Sequence, residues 1–162
     1  MQFIEKNKWL FYIISFTWGF LASFIGMMIL LFSLIVGKVK IYKGRLFGVF
    51  PKAFGNDWGF SIGCVFFIAH NCFEVYCEEA KYKDFDFHPI VPIARLMLHE
   101  SGHTLQNIIF GPLTLFIVTI PSVIRFWYRD YLTKTGKKFV KPYESIWFEH
   151  QATKFGLKYI NK

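Results

Sequence analysis

The hydrophobic pattern divides the chain into five stretches: a long uncharged run, a middle punctuated by glycine, a helix bearing histidines, a second apolar run, and a basic C-terminal part. Trp9 to Val36 contains no charged residue and is rich in Phe, Ile and Leu. As one helix it would cross a bilayer core of about 30 Å with some tilt. Trp9, Tyr12 and Trp18 stand toward one end, where amphipathic rings favour the interface. The run is too long for a signal peptide, and no small-residue cleavage site ends it. A retained transmembrane helix over 9–36 is therefore expected. Lys38, Lys40, Lys43 and Arg45 follow without an acid, which places this flank in the cytoplasm and Met1 outside by the positive-inside rule.

Leu46 to Gly63 is broken by Gly48, Pro51, Gly55, Gly59 and Gly63, and Asn56-Asp57 before Trp58-Gly59 reads as a turn. Phe60 to Ala69 is too short to cross a membrane as a helix. Its aromatic and β-branched residues suit a strand beside the later helix, although a re-entrant segment has the same periodicity. Phe73 to Lys83 reads as a short helix and Lys83 to Pro89 as a loop. Pro92 suits the first turn of a helix, which Ile93, Leu96, Met97 and Leu98 continue. Gly102 costs that helix about 1 kcal/mol relative to Ala; a neighbouring strand or a substrate approaching closely would account for it.

The second apolar run, Leu105 to Ile124, is interrupted at Gly111-Pro112. A straight helix over it would carry the chain about 30 Å away from the preceding histidines. The basic segment beyond, Arg125 to Lys141, cannot re-enter hydrocarbon to bring the C-terminal part back. Pro112 removes an amide donor and disfavours helix at the residue before it. The expected form is therefore a hairpin that dips into the membrane and returns on the side it entered. Pro142 to Tyr159 resumes a helical pattern, with Ser145, Phe148 and Ala152 on one face and Ile146, Glu149, Thr153 and Gly156 on the next.

Composition supports lipid contact. The chain of 162 residues is 54% hydrophobic with a mean hydropathy of +0.33, and carries 21 Phe, 8 Tyr and 5 Trp. One folding unit over 1–162 is expected. The net charge of +8 is spread over loops beside apolar segments and belongs to no nucleic-acid module, so an anionic lipid surface is the simpler partner. Cys64, Cys72 and Cys77 form no disulfide pattern. His70, Cys72 and Cys77 read more simply as space-filling residues than as a second metal site.

The candidate chemistry lies in His99-Glu100-Ser101-Gly102-His103, the H-E-x-x-H pattern of zinc hydrolases. On a helix, residues i and i+4 share a face, so His99 and His103 can offer two imidazoles to one metal. Glu100 lies beside that face, placed to take a proton from a water that the metal activates. The plainer alternative is a pair of hydrogen-bonded core histidines. A catalytic zinc takes three protein ligands, and Glu149 on the late helix is the best third, with His150 as the substitute. Glu149 could instead be a surface carboxylate paired with lysine. Tyr143, Tyr128 and His150 are candidate oxyanion donors, Tyr143 first, and each reads equally as an interface aromatic. Gln106 and Asn107 would line a cleft or satisfy a hydrogen-bonding need where the chain enters lipid.

The segment HESGHTLQNIIFGPLTLFIVTIPSVI, followed by WFEHQATKFG, resembles a group of small bacterial membrane proteins with a zincin-like motif and no well-defined substrate. The match rests on His99, Glu100, Gly102, His103 and Gln106. It continues with Gly111, Pro112, Leu113, Pro121 and Ser122, and ends in Glu149 and Ala152. The glycine-rich GNDWGFSIG precedes the metal helix as in that group. Ser101 stands where the group has an aromatic residue. Thr153 replaces the acid four residues after the third ligand, which in gluzincin-like enzymes accepts a hydrogen bond from a ligand histidine.

Together these readings give a mainly α membrane protein. It has one transmembrane helix (9–36), then a zincin-like region over 46–162 that comprises the H-E-x-x-H helix, a small β element, a Gly-Pro-broken apolar hairpin and a C-terminal helix. The expected activity is that of a membrane-associated zinc metallopeptidase, with Zn²⁺ held by His99, His103 and Glu149 and with Glu100 and Tyr143 catalytic. The expected location is the bacterial inner membrane, with the metal site on its cytoplasmic side. Membrane lipid is the expected partner, with a membrane-proximal polypeptide substrate or a membrane protein and no nucleic acid. The alternative is a non-catalytic adaptor or folding factor that retains zinc for structure; a basic interface-binding module without metal is a third.

Overall fold

The computed structural model describes residues 7–42, 44–55, 58–73, 92–137 and 145–157. Two helices, α1 (Lys8–Thr17) and α2 (Phe20–Val36), precede four strands: β1 (Lys38–Tyr42), β2 (Arg45–Phe50), β3 (Gly59–Ile62) and β4 (Val65–Ala69). Helix α3 (Pro92–Phe110) carries the histidine motif. A short 3-10 turn (Gly111–Leu113) and a π-helical turn (Leu115–Thr119) lead to α4 (Ile120–Lys134), and α5 (Trp147–Leu157) ends the described fold.

The strands form one mixed sheet in the order β1-β2-β4-β3. β1 and β2 form an antiparallel hairpin with Tyr42 opposite Arg45, β2 runs parallel to β4, and β3 pairs antiparallel with β4, Ile62 opposite Val65. Val65 to Ala69 is wholly buried, the continuous apolar run of a strand covered on both faces. Phe47, Val49, Phe66 and Ile68 pack with Met97 and Leu98 of α3. Phe50, Val65 and Phe67 face the other way, toward Ala22 and Leu30 of α2. The sheet is thus a layer between α2 and α3, with β3 on its edge.

The described fold is mainly helical with a small mixed sheet, but it corrects the expectation of a membrane protein with a transmembrane helix over 9–36. Among the described residues no single helix is long and apolar enough to cross a membrane. The apolar run breaks at Trp18-Gly19, where α1 and α2 are bent by 109°. The physical reason is an inward face that hydropathy does not register. Ala22, Ser23, Gly26, Leu30 and Ser33 are buried, and a Cβ at Gly26 would sit 2.4 Å from the Ile62 carbonyl oxygen. Small side chains at helical spacing let α2 lie directly on strand backbone. The small β element expected at Phe60 to Ala69 is present as two strands, β3 and β4, of a four-stranded sheet.

The basic flank after Val36 is also built into the fold. Lys38 and Lys40 are exposed on β1, whereas Arg45 is buried and donates from Nη1 to the Ser101 carbonyl at 2.7 Å. The second apolar run is bent by 118° between Leu96–Leu113 and Leu115–Lys134. The expected helix from Phe73, the loop to Pro89, Asn56-Asp57, Cys77 and Tyr143 lie outside the described residues.

Candidate metal centre

The centre is made where α3 crosses α5. Gly102 and Gly156 let the helices touch: a Cβ at Gly102 would sit 2.0 Å from the Ala152 carbonyl oxygen, and one at Gly156 2.2 Å from that of Leu98. The close approach implied by Gly102 is therefore that of a helix, not of a strand or a substrate. It delivers Glu149, fully buried, to the two imidazoles. Glu149 Oε2 lies 3.0 Å from His99 Nε2 and 3.2 Å from His103 Nε2, and the two Nε2 atoms are 3.1 Å apart.

The neighbouring hydrogen bonds fix what this triangle can hold. Gln106 donates from Nε2 to the Phe148 carbonyl at 2.8 Å and to Gln151 Oε1 at 3.0 Å, so its Oε1, 2.7 Å from His103 Nδ1, must accept. His103 Nδ1 then carries the hydrogen, and in the neutral ring Nε2 is a lone pair facing a carboxylate. Acceptor against acceptor at that distance requires a cation between them, a proton or a metal ion. His99 Nδ1 lies 2.8 Å from Thr153 Oγ1, which leaves its Nε2 able to face the same point. Two imidazole nitrogens and one carboxylate oxygen form a donor set that fits a transition-metal ion such as zinc. His99, His103 and Glu149 can hold a metal ion.

Electrostatics agree with a site built around positive charge. Burial alone would raise the Glu149 pKa, but hydrogen bonds to His103, His99 and Ser122 and the His103 charge hold it far below the usual carboxylate range. Burial alone would lower that of His103, but the Glu149 hydrogen bond, the Glu100 and Glu149 charges and Gln106 raise it. Glu100 is pushed up by burial, opposed by His99, His103 and a hydrogen bond to Ser61 of β3. One carboxylate oxygen of Glu100, Oε2, is buried without a hydrogen-bond partner.

Glu100, His99 and His103 open on a cavity of about 250 Å³. One wall is Gly59, Phe60 and Ser61 of the edge strand; the other is Val118 and Thr119 of the π-helical turn with Ser122, Phe126 and Trp127 of α4. Tyr128 and His150 are exposed and line no part of it. His150 is exposed while its neighbour Glu149 completes the triangle, so the carboxylate is the residue brought to the histidines. Ser122 enters the sequence reading only as a matched position, without its role as the hydroxyl that donates to Glu149 Oε1 at 2.6 Å, and Arg45 enters it only as part of the basic flank. Gln106 enters the sequence reading as a matched position of the resemblance and a cleft candidate, not as the partner of His103 Nδ1; its spacing of three from His103 on one helix is the signal for that role. Asn107 is buried and donates to Ser23 Oγ at 3.1 Å, the hydrogen-bonding need rather than the cleft.

No protein-family model, curated protein or solved structure matches the chain. The functional reading therefore rests on the site itself.

Proposed function

We propose that this chain is a zinc-dependent peptidase. The observation that supports this most is that Glu100, one of whose carboxylate oxygens has no hydrogen-bond partner, lines the same cavity as the two ligand imidazoles. Zinc held by His99, His103 and Glu149 would supply Lewis acidity, lowering the pKa of water and polarising a carbonyl. Glu100, steadied through one oxygen by Ser61, takes the proton of the attacking water with the other and hands it to the departing amine. Its raised pKa suits a group that must both accept and return a proton near neutrality. A peptide laid along the outer edge of β3, which pairs with no other strand among the described residues, would bring its carbonyl over the triangle. Tyr143 remains the proposed oxyanion donor, from outside the described residues.

A second reading has one observation in its favour: the partner of His99 Nδ1 is the Thr153 hydroxyl, not a carboxylate. A neutral acceptor makes a weaker ligand base, which would suffice for a structural ion in a non-catalytic adaptor or folding factor. Glu100→Gln separates the two. The peptidase reading expects near-stoichiometric zinc in both parent and variant, with peptide hydrolysis lost only in the variant. Full hydrolysis by Glu100→Gln, or a parent that binds no zinc, would sink it. His99→Ala, His103→Ala and Glu149→Ala should each lose the metal.

A further inference from the structure

The surface is inverted relative to the interior. Glu100, Thr104, Gln106 and Asn107 of α3 are buried, whereas Trp9 is 84% exposed, Ile35 83% and Trp127 67%. Large apolar side chains exposed along α1, α2 and α4 mark a docking face. Helix α4 has no buried residue.

Two features identify what covers it. First, the two bends interlock. A Cβ at Gly19 would sit 2.4 Å from Asn107 Nδ2, and one at Gly111 2.4 Å from the Trp18 ring. Bends of 109° and 118° make each pair a V, and the locked apices set both Vs side by side in one body. Second, polarity is layered along the limbs. Phe24 and Met28 of α2 and Phe116 and Ile120 of the second V are exposed near the apices or along the limbs. Cations stand at the outer ends: Lys8 before Trp9, Lys38 and Lys40 beyond α2, and Arg129, Lys134 and Lys137 beside Trp127 and Tyr131. Among the described residues the acids are Glu100 and Glu149, buried in the centre, and Asp130, paired with Lys134 at 2.6 Å. Along α1 and α4 the order from the limbs outward is apolar side chains, then Trp9, Trp127 and Tyr131, then cations, with Trp18 exposed at the α1–α2 apex. This order matches one leaflet and its anionic head groups, and a protein partner would not demand it.

We propose that the two interlocked Vs embed apex-first in one leaflet of an anionic bilayer without crossing it, and that the metal cavity opens at the head-group boundary. His103 stands about 12 Å along the helix from the Gly111 bend, and a leaflet's hydrocarbon is about 15 Å thick. The α4 wall of the cavity is itself part of the embedded V. A substrate therefore enters sideways, as a segment of a membrane-resident polypeptide where it leaves the hydrocarbon. The substrate class rests on the peptidase reading; the docking does not.

The test uses the full chain, released from mild detergent onto preformed vesicles of phosphatidylcholine with or without about one-third phosphatidylglycerol. Co-flotation should be at least tenfold greater with the anionic lipid, and should fall at least tenfold in Phe116→Glu and in Trp127→Glu. Lys8→Cys, Lys38→Cys and Lys137→Cys should all react with an impermeant maleimide added outside. Glu100→Gln, which keeps the metal, should float like the parent while losing hydrolysis, which separates failure of the docking from failure of the chemistry. Protection of one of the three cysteines inside sealed vesicles would overturn the proposal, as would lipid-independent self-association that replaces vesicle binding.

Discussion

Gly102→Ala sets local helix propensity against tertiary geometry. By propensity, alanine should stabilise α3 by about 1 kcal/mol, which in a chain of this size raises the melting temperature by about 2–4 °C. The structure reverses the sign. The new methyl would sit 2.0 Å from the Ala152 carbonyl oxygen and 2.7 Å from its carbon. Carbon–oxygen contacts settle near 3.3 Å, so α5 must move off α3 by more than about 1 Å. The obstacle is backbone, and no rotamer change can relieve it. Overpacking of this kind costs about 1–3 kcal/mol, which equals or exceeds the propensity gain. The metal is affected more, because ligand distances tolerate only about 0.2 Å, and Glu149 lies one turn from Ala152 on the helix that is displaced. The expected result is unchanged or lower stability without metal and zinc affinity reduced at least 100-fold, read by competition with a chromophoric chelator. A variant that melts higher than the parent and binds zinc equally would refute the account of how α5 delivers its carboxylate.

Thr153→Asp places a carboxylate beside His99 Nδ1 and should raise zinc affinity about tenfold; no gain would show that the hydroxyl already orients the ring fully. Ser122→Ala leaves Glu149 Oε1 without its donor at 2.6 Å and should lower zinc affinity about tenfold with little change in the chelator-treated protein's melting temperature, whereas a large loss of stability without metal would make Ser122 structural. The pH response of that metal-free protein follows from the raised His103 and lowered Glu149 pKa values. The His103 contribution is full below its unfolded pKa and is lost as pH rises through the folded one; the Glu149 contribution is lost only as pH falls through its depressed folded value. Zinc competes with the His103 proton, so the melting-temperature gap between zinc-loaded and chelator-treated protein should widen from about pH 6 to about pH 8. A constant gap would argue against imidazole ligation.

The site was more legible than the fold, for a physical reason. Helical spacing alone puts His99 and His103 on one face, and a carboxylate is what such a pair lacks; Glu149 could be named because it falls on the late helical pattern. The strands were half visible: Val65 to Ala69 has strand composition, but nothing local says that Leu46 to Phe50 runs parallel to it, since that pairing spans a crossover. Trp9 to Val36 misled because hydropathy averages over faces. Ser15, Ser23 and Ser33 are buried while Trp9, Phe24 and Ile35 are exposed, so the residues that lower the mean point inward and those that raise it point outward. The break itself depends on Asn107 filling the notch at Gly19, a contact between residues far apart in the chain.

Glu149 shows how these levels meet. One carboxylate oxygen faces the two imidazoles, and the other accepts from Ser122 on α4. Its helix is pressed against α3 through Gly102 and Gly156. The carboxylate is thus held from the core by backbone contact and from the apolar surface by a single hydroxyl. Helix α4, with no buried residue, has little packing to hold it in place, so whatever holds α4 also sets the geometry of the Ser122 bond. An anionic leaflet that fixes α4 should therefore tighten metal binding, and by thermodynamic reciprocity bound metal should tighten docking by the same factor. On the proposed reading, a centre made competent only at a leaflet would leave peptides in bulk solution uncut, which is reason enough for a metal ligand to depend on a helix without a buried residue.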